Sequence, residues 1–374
     1  MSNPRIRVDG FNKNLEKKIF GEIVRSISTR KYIKSVVSDV GEYEVIQQGD
    51  TPILGYSNDE PFEKYKSVIL FGDHTLSLYR PKAPFLLATD GLKILQSSVL
   101  KRDYLYYLTQ NYIPTSQGYK RHFSILKKVS VKYSKNLTEQ SAIGSLFSTL
   151  DDLLARYKDN LTNYQSLKAT MLSKIFPKAG RTVPEIRLDG FEGEWKSDTF
   201  ESYLTESRIL GDSGLDAKKI TVKLWGKGVV EKEEKYAGSS NTQYYIRKAG
   251  QFIYSKLDFQ NQAFGIIPTE LDGYQSTLDL PTFDVKGIDT KFLLEYIMRR
   301  EFYEYQGLIA NGSRKAKRIH PDDFLSMPVR IPSLAEQQAI GDYFSNLDQL
   351  ITSYQEKITQ LETLKKKLLQ DMFI

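Results

Sequence analysis

Apolar residues come mostly in short runs along this chain, but two stretches keep a sustained three- and four-residue spacing. In the later stretch Leu347, Tyr354, Leu361 and Leu368 recur every seven residues, with Leu350, Ile351, Ile358 and Leu364 on the intervening steps. In the earlier one Leu150, Tyr157, Tyr164 and Met171 hold the same places, with Leu153, Leu154, Leu161 and Leu167 between them. A seam of this period predicts long helices that pack on a second helix. Neither stretch contains an internal proline. The first stops at Phe176-Pro177, where the residue before proline is driven out of the helical region. Thr138 and Ser333 are placed to begin the helices, with Glu139 and Glu336 near the positive end of each dipole. About 38 residues each makes helices of roughly 57 Å.

The rest of the chain has another texture. Short apolar runs such as VILF (Val68 to Phe71), FLLA (Phe85 to Ala88), QFIYSKL (Gln251 to Leu257) and FGII (Phe264 to Ile267) are punctuated by Gly72-Asp73, Asp90-Gly91, Asp272-Gly273 and Asn311-Gly312. These are strand and turn signals. A helix is expected over Thr290 to Tyr305, with Phe292, Leu293, Tyr296 and Ile297 on one face.

The chain also repeats itself. PRIRVDGF at Pro4 to Phe11 returns as PEIRLDGF at Pro184 to Phe191, six of eight positions identical, at an offset of 180. LTEQSAIGSLFSTLDDLLARY from Leu137 returns as LAEQQAIGDYFSNLDQLITSY from Leu334, at an offset of 197. The second copy therefore holds 17 more residues between the matched segments. The expected class is α+β: two β-rich mixed domains separated by two long antiparallel coiled-coil helices, with an internal pseudo-two-fold repeat. The expected segments are a domain over 1–136, a helix over 137–177, a second domain over 178–332 and a second helix over 333–374.

Composition narrows the function. The chain of 374 residues is too long for one ordinary core. Net charge is +7 and the isoelectric point about 9.0, which suits a polyanionic partner. There is no cysteine, so thiolate zinc sites, disulfides and Cys nucleophiles are out, in keeping with a reducing cytoplasm. No apolar run is long enough to span a membrane, and MSNPRIRVDGF lacks the core of a signal peptide.

The cations are grouped. Between Asp103 and Glu139 no acidic residue occurs, and Lys120, Arg121, Lys127, Lys128, Lys132 and Lys135 lie within that stretch. Between Glu304 and Asp322 no acid occurs either, and Arg314, Lys315, Lys317 and Arg318 follow Asn311-Gly312-Ser313. Lys120-Arg121 and Lys317-Arg318 stand at the same offset of 197. Cations in a polar loop suit phosphate neutralisation, and Arg, Asn, Gln or Ser beside them could read base edges.

Catalytic signatures are missing. There is no Pro-Pro dipeptide for the base-gripping loop of an adenine methyltransferase, and Gly226-Lys227 is followed by Gly228 rather than Ser or Thr. WGKG also fails the dinucleotide fingerprint. Glu185, Glu194 and Lys196 could be forced into a nuclease pattern, but Glu-x-Lys also begins at Glu16 and Glu233. His74, His122 and His320 are too scattered for a metal site.

The two LxEQxAI segments, each leading into a heptad helix and each following a diverged region that opens on an IRxDGF-like segment, resemble the specificity subunit of Type I restriction-modification enzymes over essentially the whole chain. IPSLAEQQAI (Ile331 to Ile340) is similar to that family's proline-containing form, and YSKLDFQNQAFGIIP (Tyr254 to Pro268) to a stretch of its target-recognition domains. In the first copy Ser134-Lys135-Asn136 replaces the proline-containing approach. The resemblance implies a non-catalytic, DNA-binding subunit in which each variable region reads one half of a bipartite asymmetric site in double-stranded DNA. The helices would fix the gap and dock two modification subunits, joined by motor-nuclease restriction subunits. S-adenosylmethionine, ATP and Mg²⁺ would be bound by those partners and none by this chain. A subunit serving a fused restriction-methylation enzyme, or a coiled-coil scaffold without DNA, would share the repeat.

The expected DNA contacts are His74, Thr75, Gln117, Tyr119, Lys120 and Arg121 in the first domain. In the second they are Asn241, Gln243, Ser255, Lys256, Ser313, Arg314, Lys315, Lys317 and Arg318. The expected helix-pair or partner interface is Leu150, Leu154, Tyr157, Leu161 and Tyr164 with Leu347, Leu350, Tyr354, Ile358, Leu361, Leu364 and Leu368.

Overall fold

The computed structural model describes residues 5–11, 14–34, 36–118, 120–233, 239–309 and 318–373. The chain divides into two compact units, Met1–Asp159 with Gln355–Ile374, and Asn160–Tyr354. Both mix strands and helices.

The first unit contains β1 (Glu16–Ile19), α1 (Phe20–Ile23), β2 (Arg25–Ile27), β3 (Tyr43–Ile46), β4 (Ile53–Ser57), β5 (Val68–Gly72), β6 (Leu78–Tyr79), β7 (Phe85–Leu87), β8 (Leu92–Gln96), α2 (Arg102–Tyr112), α3 (Phe123–Leu126) and β9 (Ser130–Tyr133). A sheet in the order β2-β8-β5-β6 faces a second, β4-β3-β7, across a core of Ile46, Phe62, Val68, Leu70, Phe85, Leu87, Leu92 and Ile94. All five residues of β5 are buried, which is why it reads as an unbroken apolar run. β1 pairs antiparallel with β9, Glu16 opposite Tyr133.

The second unit contains β10 (Lys196–Thr199), β11 (Leu204–Glu206), β12 (Ile209–Ser213), β13 (Ile220–Val222), β14 (Val229–Glu231), β15 (Gln243–Ile246), β16 (Phe252–Tyr254), β17 (Phe264–Ile266), β18 (Gln275–Ser276), β19 (Thr282–Val285), α5 (Thr290–Ile297), α6 (Arg300–Gln306), α7 (Pro321–Leu325) and β20 (Pro328–Ile331). The plan repeats: β10 pairs with β20, Lys196 opposite Ile331, and a four-stranded sheet runs β11-β19-β16-β17. Its core is aromatic, with Phe200, Phe252, Tyr254, Phe283 and Phe324 within one cluster. The helix expected over Thr290 to Tyr305 is broken after Ile297, where Met298 and Arg299 separate α5 from α6.

The repeated signature segments lock each domain onto its helix. Long helix α4 (Leu137–Ile175) begins in the first unit, and α8 (Leu334–Met372) begins in the second. Arg7 forks onto Glu139 at 2.6 and 2.9 Å, and Arg187 forks onto Glu336 at 2.9 and 2.7 Å. Both carboxylates are buried, so each pair is a desolvated, bidentate bond. The neighbouring glutamines act alike. Gln140 accepts from the Lys101 N–H and donates to the Ser134 carbonyl; Gln337 accepts from the Asp289 N–H and donates to the Pro332 carbonyl. Ser333 caps α8 through the Glu336 N–H. In α4 the cap is Asn136 rather than Thr138, because its Oδ1 accepts from the N–H groups of Thr138 and Glu139 at 2.8 and 3.2 Å.

Within each unit the start of one long helix runs antiparallel to the end of the other. In the first, Lys158 meets Glu362, Asp151 meets Lys365 at 2.5 Å, and Phe147 stacks near Phe373 with centroids 6.3 Å apart. In the second, Tyr164 meets Tyr354, Lys168 meets Asp348 at 2.6 Å, and Phe176 lies 6.3 Å from Phe344. The last two contacts are the repeat equivalents of their first-unit counterparts.

Of the expected seam residues, Leu150, Leu154, Leu347, Ile358 and Leu361 are buried, and Tyr157, Leu161, Tyr164, Leu350, Tyr354 and Leu368 are half-buried. Leu364 is 45% exposed, and Leu369 takes an inner position instead. Ile358, Leu361 and Leu369 are thus buried, with Lys365 and Leu368 half-buried between them. A straight helix of 3.6 residues per turn drifts about 20° per heptad off a strict seam.

Candidate nucleic-acid interface

In the first unit a tight turn follows β5. Gly72 N–H donates to the Ser77 carbonyl and Leu76 N–H to the Gly72 carbonyl, and Leu76 takes a φ of 62°. Asp73 fastens this turn to a distant loop. Its Oδ1 accepts the Phe123 N–H at 2.7 Å and its carbonyl accepts the His122 N–H at 2.9 Å. His122 is fully buried. Its Nδ1 faces the Asp73 carbonyl at 3.0 Å, and its Nε2 accepts the Gln117 N–H at 3.1 Å, so the partners assign the Nδ1–H tautomer. The ring thereby ties Gln117 to Asp73.

Five expected contact residues converge there. His74 is half-buried, with its Nδ1 3.2 Å from the Lys120 carbonyl, while Thr75, Gln117, Lys120 and Arg121 are exposed. Lys120 Nζ donates to Gln117 Oε1 at 3.2 Å. A histidine, a threonine and an amide-cation pair from segments more than forty positions apart share one surface. Tyr119 lies outside the described residues.

The second unit rebuilds the same junction with other side chains. Ser255 N–H donates to the Ala263 carbonyl, Lys256 N–H to the Asp279 carbonyl, and Ile319 N–H to the Lys256 carbonyl. These bonds match those of Gly72, Asp73 and His122, so Lys256 stands where the first unit has Asp73. Gln262, two residues before β17, has a φ of 54°, as Leu76 does two residues before β6. Arg318, exposed beside Lys256, lies 4.0 Å from Asp279. Burial pushes the Lys256 ammonium down; Asp279 and Glu206 oppose this, and Arg208 and Arg318 reinforce it. A crowded cationic group of this kind gains from an incoming phosphate.

Other expected contacts are placed differently. Ser255 is buried, and its hydroxyl is spent on Asp258 at 3.2 Å, so its side chain closes a turn. Asn241 and Gln243 are exposed at the entry to β15, and Gln243 Nε2 donates to the carbonyls of Gly211 and Tyr244. No described contact joins them to Lys256 or Arg318. Ser313, Arg314, Lys315 and Lys317 lie outside the described residues. The framing roles of Asp73 and His122 and the cation Arg208 escaped sequence reasoning. The turn pair Gly72-Asp73, and a histidine abutting Lys120-Arg121, were the available signals.

Among the described residues no group of three or more His, Asp or Glu could hold a metal ion, and no helix is long and apolar enough to cross a membrane.

Comparison with known proteins agrees with this architecture. Residues 229–363 match the family of the Type I restriction modification DNA specificity domain. No curated protein sequence matches the chain. The fold is similar to the S subunit of a Type I restriction-modification system from M. genitalium, with TM-score 0.64 at 13% identity, covering 100% of this chain and 99% of that one. A chain from work on complex assembly and conformational transition of the type I R-M system gives TM-score 0.49 at 11% identity, covering 96% and 97%. The HsdS subunit from Thermoanaerobacter tengcongensis gives TM-score 0.44 at 12% identity, covering 96% and 95%. This chain therefore carries a Type I restriction-modification DNA specificity domain in its second half and, along its whole length, the fold of a Type I S subunit.

Proposed function

We propose that this chain reads DNA sequence for a Type I restriction-modification assembly, each unit recognising one half of a split, asymmetric target. The observation that carries this reading is the junction built twice. The same backbone bonds hold a hairpin against a following segment in both units, yet the side chains presented differ: His74, Thr75, Gln117, Lys120 and Arg121 in one, Lys256 and Arg318 in the other. One scaffold with two sets of polar groups suits two unlike half-sites.

The recognition surfaces correspond to 1–136 and 178–332, and the helices over 137–177 and 333–374 act as spacer and docking surface for two modification subunits. Double-stranded DNA is the ligand in the cytoplasm. The chain supplies recognition only. Methyl transfer with S-adenosylmethionine, and ATP- and Mg²⁺-dependent translocation and cleavage, belong to the modification and restriction partners.

The direct test is salt-dependent binding of the assembled complex to target duplex. Each phosphate neutralised contributes about 0.9 to the slope of log K against log salt. Replacing Lys120 and Arg121 by alanine is expected to lower that slope by about two. An unchanged slope and affinity would remove this loop from the interface.

A further inference from the structure

The hairpin β13–β14 has no counterpart among the described elements of the first unit. Its strands are well seated, with Ile220, Val222 and Val229 buried against Ile253, Ala263 and Ile267. Its tip does the opposite. Trp225 is 58% exposed and Leu224 38% exposed, with Lys223 and Lys227 exposed on either side. The other tryptophan, Trp195, is buried with its indole N–H donated to Glu336.

The exposure of Trp225 is enforced by the backbone. The residue takes a φ of 61°, a left-handed conformation unfavourable for a bulky side chain. It is held there because Trp225 N–H donates to the Asn261 carbonyl at 2.8 Å and Gly226 N–H to the Gln262 carbonyl at 3.0 Å. Gly226, at a φ of 65°, packs so closely on Met298 that an added Cβ would fall 2.1 Å from its Cε. The tip is thus anchored to the turn that carries Gln260, Asn261 and Gln262. The carboxylate of that turn, Asp258, is occupied by Ser255 and Asn261, and Glu231 and Glu233 sit at the far end of the hairpin. What the tip presents is an indole flanked by two lysines and backed by side-chain amides.

We propose that the Trp225 tip enters a groove of duplex DNA, its indole lying on base and sugar surface while Lys223 and Lys227 meet the flanking phosphates. Lysines answer the negative backbone, amides can read base edges, and an outward aromatic or apolar residue is the means by which proteins engage bases or wedge a groove. The inference rests on the DNA-reading role above and assigns this contact to the second unit alone.

The test uses the full-length chain assembled with its modification subunits and labelled with 5-fluorotryptophan. Its two tryptophans give two fluorine resonances, assigned with Trp225→Phe. Adding duplex that carries the methylation target is expected to shift the Trp225 resonance and abolish its solvent isotope effect, leaving Trp195 unmoved. Trp225→Ala removes apolar area buried in the groove and is expected to weaken binding about 10- to 150-fold. Trp225→Gly removes the indole while relieving the left-handed backbone, so the same loss in that variant is not unfolding. Duplex binding that leaves the Trp225 resonance and the Trp225→Ala affinity unchanged would overturn the proposal while the DNA-reading role stands. A shift caused by the modification subunits without DNA would overturn it in favour of a protein contact. Failure of the parent assembly to bind duplex at all would bring down the DNA-reading role itself.

Discussion

Arg7 and Arg187 open the two repeats, and each ends its side chain on a buried glutamate at the start of a long helix. The short motifs that betray the duplication are therefore structural clasps. Removing one partner of such a pair strands a buried charge, which costs about 3–5 kcal/mol. Arg7→Ala and Arg187→Ala are each expected to lose that much in urea unfolding, and a loss within experimental error would contradict the clasp role. The first clasp also sets a pH dependence. Burial of Glu139 works against ionisation, but the Arg7 fork and the Ser134 hydroxyl outweigh it and hold the carboxyl below its ordinary value. A depressed carboxyl stabilises the fold above its unfolded pKa of about 4.3 and loses that contribution as pH falls through the folded value. The acid limb of the Arg7→Ala stability curve is expected to be shallower than that of the parent. Arg247 makes a parallel point in the second unit. It is fully buried and its pKa is pushed down to about 10 by that burial, while its donors are satisfied by Ser276 Oγ and the carbonyls of Ser207, Thr277 and Leu280. Arg247→Lys supplies a charge without the planar fork, so it is expected to melt lower than the parent. None of these roles can be read from residue identity, because a clasp depends on which distant carboxylate or carbonyl the fold brings near.

The long helices were the most legible elements, since a sustained apolar period needs no tertiary knowledge. Along α8, Leu347, Ile358 and Leu361 are buried while Leu364 turns outward and Leu369 inward, because exact sevenfold spacing and a straight helix diverge. This separates two neighbouring substitutions. Leu361→Ala deletes buried methyl groups and is expected to cost about 2–5 kcal/mol, while Leu364→Ala on the exposed face should stay within about 0.5 kcal/mol. Equal losses in thermal unfolding would restore the strict heptad. The break between α5 and α6 was invisible because no proline or glycine marks it; Arg299 leaves the helix to stack over Phe176 and Tyr296 at 4.4 and 4.2 Å. Nothing in the sequence marks the Trp225 tip as exposed: an aromatic following a leucine is a common core pattern, and only backbone geometry turns it outward.

For the molecule as a whole, the repeat in sequence becomes a repeat in construction. Each unit is built from its own β-rich region, the start of one long helix and the end of the other. If the helices set the unread gap, a matched seven-residue insertion after Asp159 and after Tyr354 should lengthen the gap of the methylated motif and leave both half-sites alone. Retention of the original spacing in active, methylated DNA would exclude the spacer role. Sequence reasoning reached the twofold plan because duplication leaves identical residues at clasps and seams. It does not reach which bases would be recognised, since the loops proposed to meet DNA diverged between the two copies and carry no residue-to-base code.

Whether this chain selects a split DNA target is read out by mapping methylated adenines in host DNA, with and without its gene. One bipartite, asymmetric motif is expected to disappear when the gene is removed and to return when it is restored. A methylome unchanged by removal, with the modification partner expressed, would contradict it.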